Sequence, residues 1–155
     1  MNSPAPTLDP ASAERRAAPP RIGPRRLVSA LWLFAILCYL YCDVLGFYHA
    51  PHLAELLDGR AGSIEVTQGF LLGSAALMTI PIGMTLVSRV APRPVARWAT
   101  VGAGSVMTIV QTASLLVGSG VTLHYAYFSA LEIATTALLA GYAALRWRAD
   151  RPDAD

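Results

Sequence analysis

A bundle of four transmembrane helices is the fold class that three observations predict. Of 155 residues, 54% are hydrophobic and only 14% charged, with a mean hydropathy of +0.46, which is too apolar for a soluble domain of this size. Four runs are long enough to cross a bilayer core, which takes about 20 helical residues. The arginines gather between alternate runs, as a membrane topology requires. A chain this short has little room beyond its spans, so a soluble catalytic domain is excluded.

Residues 1–26 hold six of the eleven prolines and five of the twelve arginines, with no hydrophobic period that could build a core. They are expected to form a disordered cytoplasmic tail. The run from Leu27 to Tyr48 follows Arg25-Arg26 as the core of a signal peptide would. Its 22 residues are longer than a cleavable core, however, and no A-x-A site closes it. It reads as an uncleaved first span. The second span covers about 64–88, the third about 97–118, and the fourth about 123–146 with one internal charge, Glu132. The transmembrane domain is thus 27–147, and 148–155 form a second cytoplasmic tail. Nothing alternates with the period of a barrel strand.

The connections follow from their breakers. His49 to Ser63 contains Pro51, then Leu53, Leu56 and Leu57 interleaved with Glu55 and Asp58, then Gly59. This predicts a short amphipathic helix with a proline start and a glycine stop, lying on the outer surface. Pro92 and Pro94 turn the chain between spans two and three, and Gly118-Ser119-Gly120 makes a tight turn before span four.

Every basic residue is arginine. Arg15, Arg16, Arg21, Arg25 and Arg26 precede span one, Arg89, Arg93 and Arg97 join spans two and three, and Arg146, Arg148 and Arg151 follow span four, leaving Arg60 on the other side. This bias places both termini in the cytoplasm. Trp32, Trp98 and Trp147 are expected in an aromatic belt at the cytoplasmic ends, with Tyr48, Tyr125 and Tyr127 at the outer ends.

Helices in lipid associate where side chains are missing. Gly69 with Gly73, Gly102 with Gly104, and the stripe Ala130, Ala134, Ala137 and Gly141 are therefore expected as packing faces, a homodimer seam being the other reading. Pro81 is expected to kink span two.

The polar residues define a candidate ligand- or proton-binding site of Tyr39, Asp43, Gln68, Gln111 and Glu132. Glu132 lies seven residues after Tyr125, about 10 Å below the outer boundary. A carboxylate there is costly unless it faces a bundle interior or a wet cavity, and no span offers an arginine to neutralise it. It is expected either to hold its proton or to accept hydrogen bonds from Gln111, Tyr39, Thr135 or Thr136. Asp43 shares a helix face with Tyr39, Gly46 and Phe47, which suggests a cavity mouth. Glu65 suits the positive end of the second helix, and Gln68 lies one turn on.

Cys38 and Cys42 fall on one side of a helix and read as small buried hydrophobes. His49, His52 and His124 could gather with Asp43 or Glu65 around a metal ion outside the membrane, but Pro51 separates the first two and no metal-ligand motif is present, nor any cofactor, nucleotide or nucleic-acid signature. No metal, cofactor or catalytic residue is assigned.

Three stretches, Ser29 to Tyr48, Thr67 to Pro81 and Tyr127 to Leu139, carry a resemblance. Through Tyr39, Tyr41 and Asp43, Thr67-Gln68-Gly69, and Glu132, the chain resembles a bacterial family of small four-span integral membrane proteins of unknown function, and it is loosely similar to DoxX-like four-helix proteins. The resemblance covers about 27–147 and implies four spans in a bacterial inner membrane. It implies no reaction.

The function expected on these grounds is not enzymatic. It is an outward-facing polar pocket that binds or transports a small solute or cation, with Glu132 as the protonatable group. The alternatives are a structural or accessory membrane subunit and a DoxX-like redox-associated subunit using Asp43 and Glu132 as acid and base. The partners expected are the lipid bilayer, a small solute or cation, and a second copy of the chain.

Overall fold

The computed structural model describes residues 23–117 and 121–147. Most of the N-terminal tail, the Gly118–Gly120 turn and the second tail lie outside the described residues. The elements in order are α1 (Pro24–Gly46), α2 (Ala50–Leu57), β1 (Arg60–Ala61), β2 (Ile64–Glu65), α3 (Gln68–Val90), α4 (Arg93–Val117) and α5 (Leu123–Leu145). Helices α1, α3, α4 and α5 are long and apolar enough to cross a membrane, so this is a multi-pass membrane protein with a four-helix fold.

Local chemistry sets the helix ends. Pro24 opens α1, because proline at the first turn gives up no hydrogen bond that the helix could have made. Thr67 caps α3 by accepting from the Phe70 amide at 3.1 Å, and Thr122 caps α5 from the Tyr125 amide. Ala91 is extended before Pro92, as a residue preceding proline prefers, and α4 restarts at once at Arg93. Pro81 lies buried inside a continuous α3. Pro51 starts α2, and Gly59 ends it with a φ of +74°.

The β-hairpin is not foreseen from sequence. Arg60 faces Glu65 and Ala61 faces Ile64 across two antiparallel strands, and Gly62 makes the turn at a φ of +61°. Glu65 therefore stands in a strand and caps no helix. The hairpin is tied down by the Gly62 amide, which donates to the Glu55 carboxylate, and by the Val66 amide, which donates to the Gly59 carbonyl.

The four long helices form a ring. α4 and α5 share the most extensive interface, α1 packs on α3 and α5, and α3 closes the ring against α4. One core joins Val28, Trp32, Ala35 and Tyr39 of α1, Met84 of α3, Ala96 and Met107 of α4, Leu139 and Ala143 of α5, and Trp147. Two of the three tryptophans expected in the belt, Trp32 and Trp147, are thus core residues. Only Trp98 is exposed, with the Arg97 guanidinium 5.2 Å from its ring. Nearness to a helix end says nothing about which face a residue occupies.

The small residues need the same correction. At Gly104 an added Cβ would stand 2.8 Å from the Thr136 carbonyl oxygen, so α4 and α5 meet backbone to backbone. Thr108 and Thr136 share a 2.8 Å hydrogen bond one turn away. Gly73, Gly102 and Gly141 face open space. Gly69, Ala130, Ala134 and Ala137 are exposed on the outside of the bundle. A small residue permits close approach, but the neighbouring helix decides where approach occurs.

The ends of the bundle differ in charge and closure. At the end holding Pro24, Pro92 and Leu145, hereafter the terminal end, Arg97 donates to the Ala143 and Ala144 carbonyls at 2.8 and 2.7 Å. Arg25 donates to the Arg89 and Ala91 carbonyls at 2.7 and 3.0 Å. Guanidiniums thus satisfy the last carbonyls of α5 and α3, where a helix is negative. Arg89 also donates to the Ser29 hydroxyl, which donates to the Thr85 carbonyl. The opposite end, hereafter the loop end, carries Asp43, Glu55, Asp58 and Glu65 against Arg60 alone among the described residues.

Candidate functional site

A cavity of about 710 Å³ opens at the loop end. The final turns of α1 supply Cys42, Asp43 and Gly46, helix α2 and its approach supply His49, His52 and Glu55, and the start of α5 supplies Thr122, His124 and Tyr125. Phe47 and Phe70 add aromatic wall. The fold of the loop brings these groups together. Pro51 and Gly59 fix the ends of α2, so its two histidine neighbours return over α1, and the His52 ring rests on Gly46, 3.5 Å from where a Cβ would be. His124 is held by Thr122, whose hydroxyl lies 3.0 Å from Nδ1, and Tyr125 shares a 2.8 Å hydrogen bond with Ser114 of α4.

Beneath the floor lies a second layer. Glu132 of α5 is 1% exposed, and neither carboxylate oxygen has a hydrogen-bond partner. The Tyr39 hydroxyl is buried and unpartnered as well. Cys38, Tyr39 and Cys42 of α1 are buried in the bundle too, and their spacing puts them with Asp43 on one face of that helix. Protein surrounds the Glu132 carboxyl, whatever covers the outside of the bundle. An ionised carboxylate buried without a partner costs several kcal/mol on the order of its desolvation, and such groups in membrane proteins mark ion and proton paths.

The family model that fits this chain matches residues 22–153, a stretch that takes in all four spanning helices and the cavity. The chain belongs to the family of unknown function DUF6326. No curated protein and no solved structure matches it.

In this DUF6326 chain the five sequence-predicted site residues separate into three groups. Asp43 lines the cavity, while Tyr39 and Glu132 are buried in the bundle and do not line it. Gln111 is buried, but its amide donates to the Ser129 hydroxyl at 2.8 Å, so it ties α4 to α5 and is no partner of Glu132. Gln68 is exposed at the start of α3 and does not line the cavity. Of the two states expected for Glu132, the one held by hydrogen bonds from Gln111, Tyr39, Thr135 or Thr136 is not the one seen. The Thr136 hydroxyl donates to the Glu132 backbone carbonyl instead, which leaves the carboxyl alone.

The sequence allows His49, His52 and His124 to gather with Asp43 or Glu65; in the DUF6326 chain they line the cavity with Asp43, and sequence reasoning missed Glu55 and Tyr125 in its wall and put Glu65 there wrongly. The signal was available in part: Pro51 and Gly59 predicted α2, and a helix returning over the bundle must carry its flanking histidines with it. That His124 would meet them depends on the order of helices around the ring, which one sequence does not give.

Proposed function

We propose that this DUF6326 protein binds a small cation in its loop-end cavity in exchange for a proton, with Glu132 as the group that moves the proton. The single observation that carries this reading is a carboxyl 1% exposed and without hydrogen-bond partners, inside a bundle whose loop end opens into a cavity lined by Asp43. The arrangement suits a cation. Asp43 and Glu55 line the cavity with no arginine among the lining residues, and Phe47, Phe70 and Tyr125 offer ring faces that attract positive charge. The arginine bias supports a loop end that faces outward and termini in the cytoplasm, and the resemblance supports a bacterial inner membrane.

The cycle balances. A monovalent cation enters the cavity, Glu132 releases its proton to cavity water, and the net charge of the protein with its bound ion stays the same. The arginine hydrogen bonds at the terminal end support closure there among the described residues, opposite the cavity, as binding or the first half of transport needs.

The test is proton release by the purified protein in weakly buffered detergent with a pH-sensitive dye, on addition of sodium, manganese(II), silver(I), guanidinium or tetramethylammonium. At least one of these is expected to release a proton from the wild type, with Glu132→Gln releasing none and Asp43→Asn requiring more cation. Equal release by Glu132→Gln, or no release with any of the five, would overturn the reading.

A structural or accessory role is the second reading. It is favoured by the exposed Gly69, Gly73, Ala130, Ala134 and Ala137 faces, which another chain could cover. Joint substitution of Glu132, Asp43 and Gln111 that leaves the phenotype of the host cell unchanged would decide for it.

A further inference from the structure

The loop-end cavity is far larger than an inorganic ion. Its volume of about 710 Å³ falls in the range of sites for small organic molecules, roughly 300–1,000 Å³, whereas one water takes about 30 Å³ of liquid. A bare ion would leave most of this space to water. Its donors do not converge either. His49, His52, His124, Asp43 and Glu55 are distributed over the wall, and among the described residues no three His, Cys, Asp or Glu side chains stand close enough to hold a metal ion. A metal site gathers its ligands around one point. Size and the scatter of the polar groups both favour an organic guest.

The wall decides the charge and character of that guest. Asp43 and Glu55 are exposed carboxyls, and the Gly62 amide holds one Glu55 oxygen at 3.3 Å. The Phe47 amide donates to the Asp43 carbonyl at 3.3 Å, so the helical turn continues past Asp43 and sets an aromatic ring on the face that carries the carboxyl. Phe70 at the start of α3 and Tyr125 at the start of α5 supply two more rings. Both are held in place, Phe70 through its amide by the Thr67 cap and Tyr125 through its hydroxyl by Ser114. Leu56 and Val121 add apolar surface. Ring faces beside carboxylates attract an ammonium head, and the apolar remainder of the wall suits a hydrocarbon body. A hydrated inorganic ion would present its water shell to carbon.

We propose that the loop-end cavity takes an organic monocation with an apolar body, of the alkylammonium or arylammonium class, with its charge against Asp43 and Glu55 and its body against Phe47, Phe70 and Tyr125. This names the substrate class of the cation reading above and rests on it for the place of binding. One positive charge arrives, as exchange for one proton requires, and no covalent bond is made or broken.

The experiment uses the full chain in detergent and measures binding by calorimetry, with benzyltrimethylammonium as the probe and empty micelles as the blank. It is run at pH 8, above the range in which histidine ordinarily gains a charge that would oppose a cation. Tetramethylammonium supplies the head without the body, and benzyl alcohol the body without the charge. One benzyltrimethylammonium per chain is expected, bound about 10-fold more tightly than tetramethylammonium, with no saturable binding of benzyl alcohol. Phe70→Leu, which keeps the apolar surface and removes the ring, is expected to weaken the probe about 5-fold, and Asp43→Asn about 10-fold. Both side chains are exposed, and an unchanged titration with denaturing detergent shows that each variant is folded. Equal affinity for tetramethylammonium, benzyl alcohol bound as tightly as the probe, or wild-type affinity in both variants would overturn the proposal. If the probe does not bind while sodium or silver(I) still releases a proton that Glu132→Gln lacks, the organic class falls and the cation reading stands. If the probe binds as expected and no cation releases that proton, the organic-cation site stands and the proton exchange falls.

Discussion

Gly104→Val is expected to destabilise the protein by about 3 kcal/mol, the upper range for forcing extra carbon into a packed interface. The added Cβ would stand 2.8 Å from the Thr136 carbonyl oxygen and 3.1 Å from the Ala140 Cβ. The first of these is backbone and cannot rotate away, so α4 and α5 must separate. Separation also breaks the Thr108–Thr136 hydrogen bond and loosens the interface that carries Glu132 and Gln111. Loss of helical ellipticity during titration with a denaturing detergent reads the effect. Gly73→Ala, Gly102→Ala and Gly141→Ala meet no atom within 4 Å and should be neutral or slightly stabilising by helix propensity. Equal loss at Gly104 and Gly73 would contradict the packing described here.

Glu132→Leu is expected to act in the opposite direction on stability and to abolish function. A buried polar group without partners costs about 1–3 kcal/mol relative to a fit apolar side chain, and leucine is close enough in size to fill the site. The variant should therefore resist denaturing detergent better than the wild type while binding no cation in exchange for a proton. A structural carboxyl that knits helices by hydrogen bonds would give the reverse, a less stable protein. The same titration that reads Gly104→Val separates the two.

The spans were legible because a bilayer demands about 20 apolar residues whatever their partners, and Pro51, Gly59 and Pro92 mark their own positions through backbone geometry. The hairpin at Arg60–Glu65 was not legible, since two residues per strand leave no period to detect. Trp32 and Trp147 look like belt residues in sequence because both lie near span ends, but the bundle turns them inward. Gly69 and Gly73 look like an interface and meet no other helix, while Gly104, part of a less regular pattern, carries the closest approach. At the site, Glu132 could be picked out because any charge inside a span is costly. Gln111 is equally polar and equally deep, but its partner Ser129 lies across a helix interface that sequence spacing cannot place. The cysteines were legible, since their spacing on one helix face already read as small buried hydrophobes, and both are free and buried.

The protonation of Glu132 is the point on which the functional reading turns. Infrared spectra of the protein in lipid, wild type minus Glu132→Gln, isolate the stretch of this one carboxyl with and without silver(I) or guanidinium. A protonated-carboxyl band that belongs to Glu132 and shifts or disappears on adding a cation is the predicted result. A band that no cation moves, or a Glu132 already ionised and indifferent to them, would contradict proton exchange at this site and leave the carboxyl a structural feature of the bundle.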